Sequence, residues 1–439
     1  MIEPDTTPFG HKKDMSKPML DSYHPKQVEA AWYAWWEKSK FFSPDAKKVI
    51  NKEVKPYTMI IPPPNVTGAL HLGHALMLSI EDSIMRWRRM SGYETLWLPG
   101  CDHAGIATQS VVEKQLWKQK KQTRHDLGRE EFVKTVWQWK DDYGGRIDNQ
   151  FRRMGISVDW DRYLFSLAPQ NSKAVTEAFV RMFEKGLIYR DIRLVNWSSH
   201  LRTALSDLEV EHIDIPGKTF LHVPGHDPNK QYEFGTLTEF KYRVKGTDKL
   251  ITVATTRLET MLGDVAVAVH PDDPRYKEFV GKELEHPFCP DRKITVITDP
   301  VLVDMNYGTG AVKITPAHDP NDYQCGKRHN LEFINMLEEN GRINHVGGEK
   351  FAGMMRFDAR IAIYEELKKL GLIGEKRPNP MRLGRCSKSN DIIEPLLKPQ
   401  WYVNCKDMAA RSVDAVRKDE LIIEPPEHKK TWYQWLENI

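Results

Sequence analysis

The residues best equipped for chemistry stand in the run Pro62-Pro63-Pro64-Asn65-Val66-Thr67-Gly68-Ala69-Leu70-His71-Leu72-Gly73-His74. Three prolines fix the backbone in advance, so little entropy is left to lose on binding. Gly68 and Gly73 permit close approach of the backbone to a ligand. His71 and His74 are three apart and share a face on a first helical turn. A helix N-terminus favours anions, and two imidazoles there can donate hydrogen bonds to phosphate oxygens. Such equipment suits charge developing on the α-phosphate of ATP, stabilised without a covalent role for the protein. Read alone, the pair fits equally two capping or core histidines, or half of a metal site.

A second constellation lies in Tyr307–Tyr323, YGTGAVKITPAHDPNDY. On a strand Lys313 and Thr315 share a face, while Val312 and Ile314 point the other way into a core. Asp319 followed by Pro320 reads as an N-cap and first helical position, with Asp322 one turn on along the same side. Capping alone accounts for Asp319 as well as ligand binding does. The segment GTGAVKIT lacks the glycine directly before lysine that a phosphate loop requires.

The elements that must position these groups follow from periodicity. Residues 24–38 predict a helix with Val28, Trp32, Trp35 and Trp36 as its apolar positions. YTMII at 57–61 predicts a buried strand that stops at the prolines. Leu72, Leu76, Ile80, Ile84 and Trp87 form one stripe of a helix over 69–90, and TLWLP at 95–99 a second strand. Strand, loop, helix, strand is the unit of a parallel α/β sheet, whose ligands sit where strand ends feed helix N-termini. After about residue 195 the texture changes to β-like runs at 250–256, 264–270, 293–298 and 310–316, with a helix at 357–371. These imply a separate, largely β domain inserted into the first. The outer domain is expected to resume with LLKPQWYVNC at 396–405, after the linker 375–384.

With 439 residues, and roughly 150 per domain, two or three domains are expected. Lys and Arg total 64 against 61 Asp and Glu, a net +3 that an anionic partner or a merely solvated surface explains. The basic runs Lys118–Lys121 and Arg146–Arg153 leave the same choice open. No stretch approaches the ~20 apolar residues of a membrane span, and a mean hydropathy of −0.57 agrees. The polar start of mixed charge matches neither a secretory signal nor a transit peptide. Five scattered cysteines form no disulfide framework and suit a reducing compartment. A cytoplasmic protein with no membrane partner is therefore expected.

The block PPPNVTG-x-LHxGHA resembles the first signature of class I aminoacyl-tRNA synthetases in its valine-specific form, and CDHAGIATQ at 101–109 resembles their next block. Similarity continues through 151–166, 194–199, 205–211 and 391–403, nearly the whole chain. The resemblance implies a Rossmann-type class I synthetase catalytic domain, α/β, split by an inserted mixed, largely β editing domain. The corresponding boundaries are 1–54 for an N-terminal arm and helix, 55–194 for the first half of the catalytic domain, 195–377 for the insert and 378–439 for the return. It also implies that His71, Gly73 and His74 hold ATP, with the two histidines catalytic. Pro63 and Asn65 would line the valine pocket, and Asp102 would hold the α-ammonium group by charge pairing.

VATTRLETMLGD at 253–264 resembles the threonine-rich editing block of the same family, with Arg257 and Thr260 at its functional positions. Leu258 departs from the proline common there. An apolar pocket shaped for valine rejects threonine by only ~10²-fold, a value known for valine-specific members of this family. A second, hydrolytic site is therefore implied. Asp319 would anchor the ammonium group of the mischarged residue, and Lys313, Thr315 and Asp322 would complete the pocket. Arg257 would face the adenosine or a phosphate of the tRNA end. A water oriented by the pocket would attack the ester, with no covalent intermediate.

The substrates implied are valine, ATP with Mg²⁺, and tRNA(Val), with threonine as the editing substrate and a monomer as the assembly. Cys386-Ser387-Lys388-Ser389 lies where some relatives place paired metal-binding cysteines, but a single thiol predicts no structural zinc or other metal. The run Asp14-Met15-Ser16-Lys17 matches the family's lysine-rich loop by coincidence of composition. That second signature and an anticodon-binding region are expected in the family and are not present, so a fragment is expected. Two other classes stay open: an isoleucine-specific relative, which would edit valine, and a tRNA-binding module without catalysis.

Overall fold

The computed structural model describes residues 5–16 and 21–439, and it divides into two compact units, 1–182 and 183–439. Residues 1–4 of the arm and Lys17 of the DMSK run lie outside the described residues.

In the first unit β1 (Pro56–Ile60) leads through the proline run into α1 (Leu72–Met90), which returns to β2 (Glu94–Leu98). The two strands are parallel, with Pro56 opposite Glu94 and Ile60 opposite Leu98. Parallel pairing requires a crossover, and α1 supplies it. Just beyond, β3 (Gly100–Cys101) pairs in parallel with β4 (Leu164–Phe165). Gly100 is required there, since a Cβ would stand 2.8 Å from the Leu164 carbonyl oxygen. Helices α2 (Ile106–Lys120), α3 (Arg129–Met154) and α4 (Pro169–Glu184) complete the fold.

Three expectations change. The strand expected to be buried, β1, is half open, with Ile60 68% exposed and only Ile61 beyond its end fully buried. The single helix over 24–38 is broken into Pro25–Val28 and Trp32–Lys38, with Ala31 between them in the left-handed region at φ 67°. The stripe that signals α1 is also not its buried face. Leu72 is 84% exposed and Leu76 63%, whereas Leu78 and Met85 are fully buried. The inward side is fixed by Asp82, whose carboxylate accepts from the Ser157 amide at 2.8 Å and the Ser157 hydroxyl at 2.6 Å. Leu78 and Met85, seven residues apart, then meet Trp97, Ile147 and Phe151 in one core.

The second unit opens with β5 (Ile188–Ser198) and is built on a sheet of β6 (Thr236–Val244), β7 (Leu250–Thr255), β8 (Ala266–Val269), β9 (Glu283–Glu285), β10 (Lys293–Thr298) and β11 (Ala311–Ile314). The order across it is β7-β6-β9-β10-β8-β11. Helices α5 (Pro320–His329) and α6 (Arg356–Lys369) follow; β12 (Ile373–Pro378) then pairs with β6. The strands and the helix expected from periodicity are all present to within a few residues. The largest core holds Phe240, Ile251, Val253, Val267, Ile294, Val296 and Ile363. β13 (Glu394–Val403) runs antiparallel to β5 along its length, from Glu394 opposite Trp197 to Val403 opposite Ile188.

Candidate active sites

His71 is the N-cap of α1. Its Nδ1 accepts from the Gly73 amide at 3.1 Å, and the His74 Nδ1 accepts from the His71 amide at 3.2 Å. The ring centroids lie 3.9 Å apart. In a neutral imidazole, a nitrogen that accepts leaves the proton on the other. Each ring therefore carries its proton on Nε2. Burial, and then the neighbouring His71, push the His74 ring towards its neutral form. The capping reading is satisfied by Nδ1, and Nε2–H is left as a donor.

The proline run brings Asn65 beside Asp102, which form an isolated parallel bridge. The Asp102 amide donates to the Pro64 carbonyl and the Val66 amide to the Asp102 carbonyl, each at 2.9 Å. The sequence-predicted Pro63, Asn65 and Asp102 therefore come from adjoining segments. The Asp102 side chain is about one third exposed, at 34%. Its Oδ2 accepts from the Ala104 amide at 3.1 Å, and its Oδ1 lies 3.4 Å from the His103 Nδ1. That nitrogen also meets the Ser166 hydroxyl at 2.7 Å. A nucleophilic triad needs the serine and the carboxylate on different ring nitrogens; here they share one, so the trio does not have triad geometry. Sequence reasoning missed His103 and Ser166; the only available signal was the position of His103 next to Asp102.

The second site is assembled by the β8–β11 register. Ala266 lies opposite Ile314, which brings Asp264, just before β8, against Thr315, just after β11. Lys313 and Thr315 do share a face: the Lys313 ammonium donates to the Thr315 hydroxyl at 2.6 Å and to the Asp264 Oδ1 at 2.9 Å. The Thr315 hydroxyl donates to that same oxygen at 2.5 Å, and the Tyr242 hydroxyl to Oδ2 at 2.7 Å. Asp264 is fully buried. Neither Asp264 nor Tyr242 was singled out by sequence reasoning, although Asp264 closes the block TRLETMLGD. The turn before it packs tightly, since a Cβ on Gly263 would stand 2.9 Å from the Thr315 methyl.

Asp319 is the N-cap of α5, its Oδ1 accepting from the amides of Asn321 at 2.8 Å and Asp322 at 3.2 Å. Asp322 accepts from the Thr315 amide at 2.8 Å. Burial, and then the charge of Asp319, push the Asp322 carboxyl up to about 7. Thr260 joins through its carbonyl, 3.5 Å from the Thr315 hydroxyl, while its own hydroxyl donates to the Arg257 carbonyl at 2.8 Å. Leu258, in place of the expected proline, is buried in the core.

Arg257 is held by protein partners. Its Nη2 donates to both oxygens of Glu394 at 2.7 and 2.6 Å, and its Nη1 to the His318 carbonyl at 2.8 Å. These bonds turn the guanidinium towards protein partners. His318 is fully buried. Its Nε2 accepts from the Met336 amide at 3.1 Å, so its Nδ1 carries the proton that meets Glu394 at 3.2 Å. Both ring nitrogens are thereby engaged by protein partners.

Among the described residues one group has the side chains and spacing to hold a metal ion: Asp299, Cys325 and His329. The Arg328 guanidinium already pairs with the Asp299 Oδ2 at 2.7 Å, supplying the positive charge an ion would bring. Cys386 is buried as a free thiol. No helix among the described residues is long and apolar enough to cross a membrane.

A family model described as tRNA synthetases class I (I, L, M and V) matches residues 31–439. A protein named Valine--tRNA ligase, mitochondrial 1, from Arabidopsis thaliana is 56% identical over 441 residues, covering 100% of this chain and 39% of its own length. Proteins named Valine--tRNA ligase are 55% identical in Takifugu rubripes, covering 99% of this chain and 35% of theirs, and 53% in Schizosaccharomyces pombe, covering 99% and 44%. The chain thus spans about two fifths of the length of the curated relatives it matches.

Proposed function

Because this chain belongs to the class I tRNA synthetases of the I, L, M and V group, we propose that it serves the ATP-dependent attachment of valine to tRNA(Val), with hydrolysis of misattached threonine. The valine-specific form of the PPPNVTG block supports that choice of amino acid, as do relatives carrying that name at 53–56% identity. The reading includes a Rossmann-type catalytic domain at 55–194 and 378–439, split by an editing domain at 195–377. The parallel β1-α1-β2 unit supports the first part. The antiparallel β5 and β13, which enclose the insert, support the second. A cytoplasmic monomer completes it.

In activation, ATP arrives with Mg²⁺, and the two Nε2–H groups at the α1 N-terminus meet its phosphate oxygens. They are fixed before substrate binds, so no reorganisation is needed as charge builds on the α-phosphate. Asp102 holds the ammonium group of valine beside the rigid wall of Pro63 and Asn65. The valine carboxylate attacks the α-phosphate and displaces pyrophosphate; the valyl-adenylate then passes its acyl group to a tRNA ribose hydroxyl, releasing AMP and the proton of that hydroxyl.

In proofreading, the carboxylate of Asp319 pairs with the ammonium of the mischarged residue. Lys313, Thr315 and Thr260 present a polar pocket. The hydroxyl of threonine joins this network, whereas the extra methyl of valine would leave polar groups unpaired. Such a site discriminates far better than an apolar one. A bound water attacks the ester carbonyl, and the tRNA ribose hydroxyl leaves with the proton.

The buried Lys313–Thr315–Asp264 cluster is the observation that carries the hydrolytic reading. Deacylation of threonyl-tRNA(Val) and valyl-tRNA(Val) tests it. Selective release of threonine, lost in Asp319→Ala, is expected. Equal hydrolysis of both, or undiminished release by Asp319→Ala, would overturn it. Release of valine from tRNA(Ile) would favour the isoleucine-specific alternative.

A further inference from the structure

Glu394, at the start of β13, lies in the similar stretch 391–403 but has no role assigned above, and it is 1% exposed. Its carboxylate accepts from Arg257 Nη2 at 2.7 and 2.6 Å, from Arg356 Nη1 at 2.6 Å and from His318 Nδ1 at 3.2 Å. Arg257 and Glu394 together grip His318 from both sides, since the Arg257 Nη1 also donates to the His318 carbonyl at 2.8 Å. His318 directly precedes Asp319. The carbonyl of Arg257 receives the Thr260 hydroxyl at 2.8 Å. One carboxylate therefore fixes both segments that supply the hydrolytic pocket.

Its neighbours extend the pattern. Arg257 Nε lies 3.4 Å from Glu259, whose two oxygens accept from Arg360 at 2.6 and 2.9 Å. On the other side Arg356 Nη2 lies 3.6 Å from Asp391. Asp391, Arg356, Glu394, Arg257, Glu259 and Arg360 thus alternate in sign, and the row is neutral as a whole. A buried ion pair holds geometry only while every member has its partner. Glu394 is an inner member of that row and the one that also reaches His318.

We propose that Glu394 is a positioning residue of the hydrolytic site, setting the placement of Asp319 and Thr260 through His318 and Arg257. The inference rests on the hydrolytic reading of that site. Its chemistry is a matter of acceptor count. The Gln side chain has nearly the same shape, but one of its terminal atoms donates and cannot accept from a guanidinium. The Asp side chain keeps both acceptors and the charge, one methylene short of the three donors.

The experiment is single-turnover and steady-state deacylation of threonyl-tRNA(Val) by the intact protein carrying Glu394→Gln or Glu394→Asp. Thermal unfolding is recorded alongside. A misplaced catalytic group costs on the order of 10²-fold in rate, so kcat is expected to fall by that factor in Glu394→Gln with KM unchanged. Glu394→Asp should fall between Glu394→Gln and the unsubstituted protein. Wild-type kcat in Glu394→Gln would overturn the proposal, as would a loss of kcat that follows unfolding alone. Should Glu394→Gln fail to fold, the charge-preserving Glu394→Asp decides: reduced kcat in a folded protein supports the role, and wild-type kcat ends it. Absence of hydrolysis by the unsubstituted protein would instead sink the hydrolytic reading itself.

Discussion

His71 and His74 are held by backbone amides at the lip of a helix, while Lys313, Thr315 and Asp322 are held within a buried cluster that includes Asp264 and Tyr242. The first arrangement needs only one turn of helix to be correct. The second needs three strands, a turn and a helix N-terminus to meet. On the proposed function, the contrast follows from what each site must bind. A phosphate chain brings charge enough to organise donors near water, whereas telling a hydroxyl from a methyl requires polar groups already removed from it.

The comparison breaks most decisively at Lys313. Lys313→Met leaves Asp264 buried without its cation, which is expected to cost roughly 3–5 kcal/mol. Asp264→Leu combined with Lys313→Met should recover most of that loss, because removing both partners leaves no unpaired charge. Denaturant unfolding of the two variants measures the difference. A single variant within about 1 kcal/mol of the parent would mean that the pair is not the ionic centre of the site.

Asp322 sharpens the contrast through pH. Its carboxyl titrates near 7 in the folded protein against an ordinary 3.8. Between those values the folded chain keeps a proton that the unfolded chain has released. The contribution of Asp322 to stability therefore falls as pH rises through that window and is constant above about 7. The full effect is at most roughly 4 kcal/mol. Asp322→Asn removes the slope, so the variant should gain on the parent between about pH 4 and about pH 8. Unfolding curves at the two ends measure it; a difference independent of pH would rule out the raised titration.

How much of this was legible in the sequence follows from the same contrast. His71 and His74, Lys313 and Thr315, and Asp319 and Asp322 are readable because helix and strand periods relate residues two to three apart. The β-runs of the second unit were readable for the same reason. The stripe of α1 misled because periodicity shows that a face is apolar, not which neighbour covers it. Arg257 was identified by its block, but its partner Glu394 lies 137 residues away. No local period links such a pair; only the β5–β13 and β8–β11 registers do. Asp264 opens the β-run 264–270, but its partners Lys313 and Thr315 lie 49 and 51 residues on, where no local period reaches.

The smallest stability effect belongs to the open site and separates its two roles. His71 caps α1 through Nδ1, and the proposed contact with ATP uses Nε2–H. Asn is among the preferred N-cap residues, so His71→Asn keeps an acceptor for the Gly73 amide while replacing the far-reaching imidazole Nε2–H with a shorter amide N–H₂. Stability should then stay within about 0.5 kcal/mol of the parent, as for other surface changes. Valine-dependent pyrophosphate exchange by the intact protein should fall on the order of 10²-fold, the usual loss when one donor to developing charge is removed. If stability fell while exchange held, His71 would be a cap and nothing more. The opposite outcome is the one expected of a site whose framework is its backbone, where the reactive side chain can change without disturbing the fold.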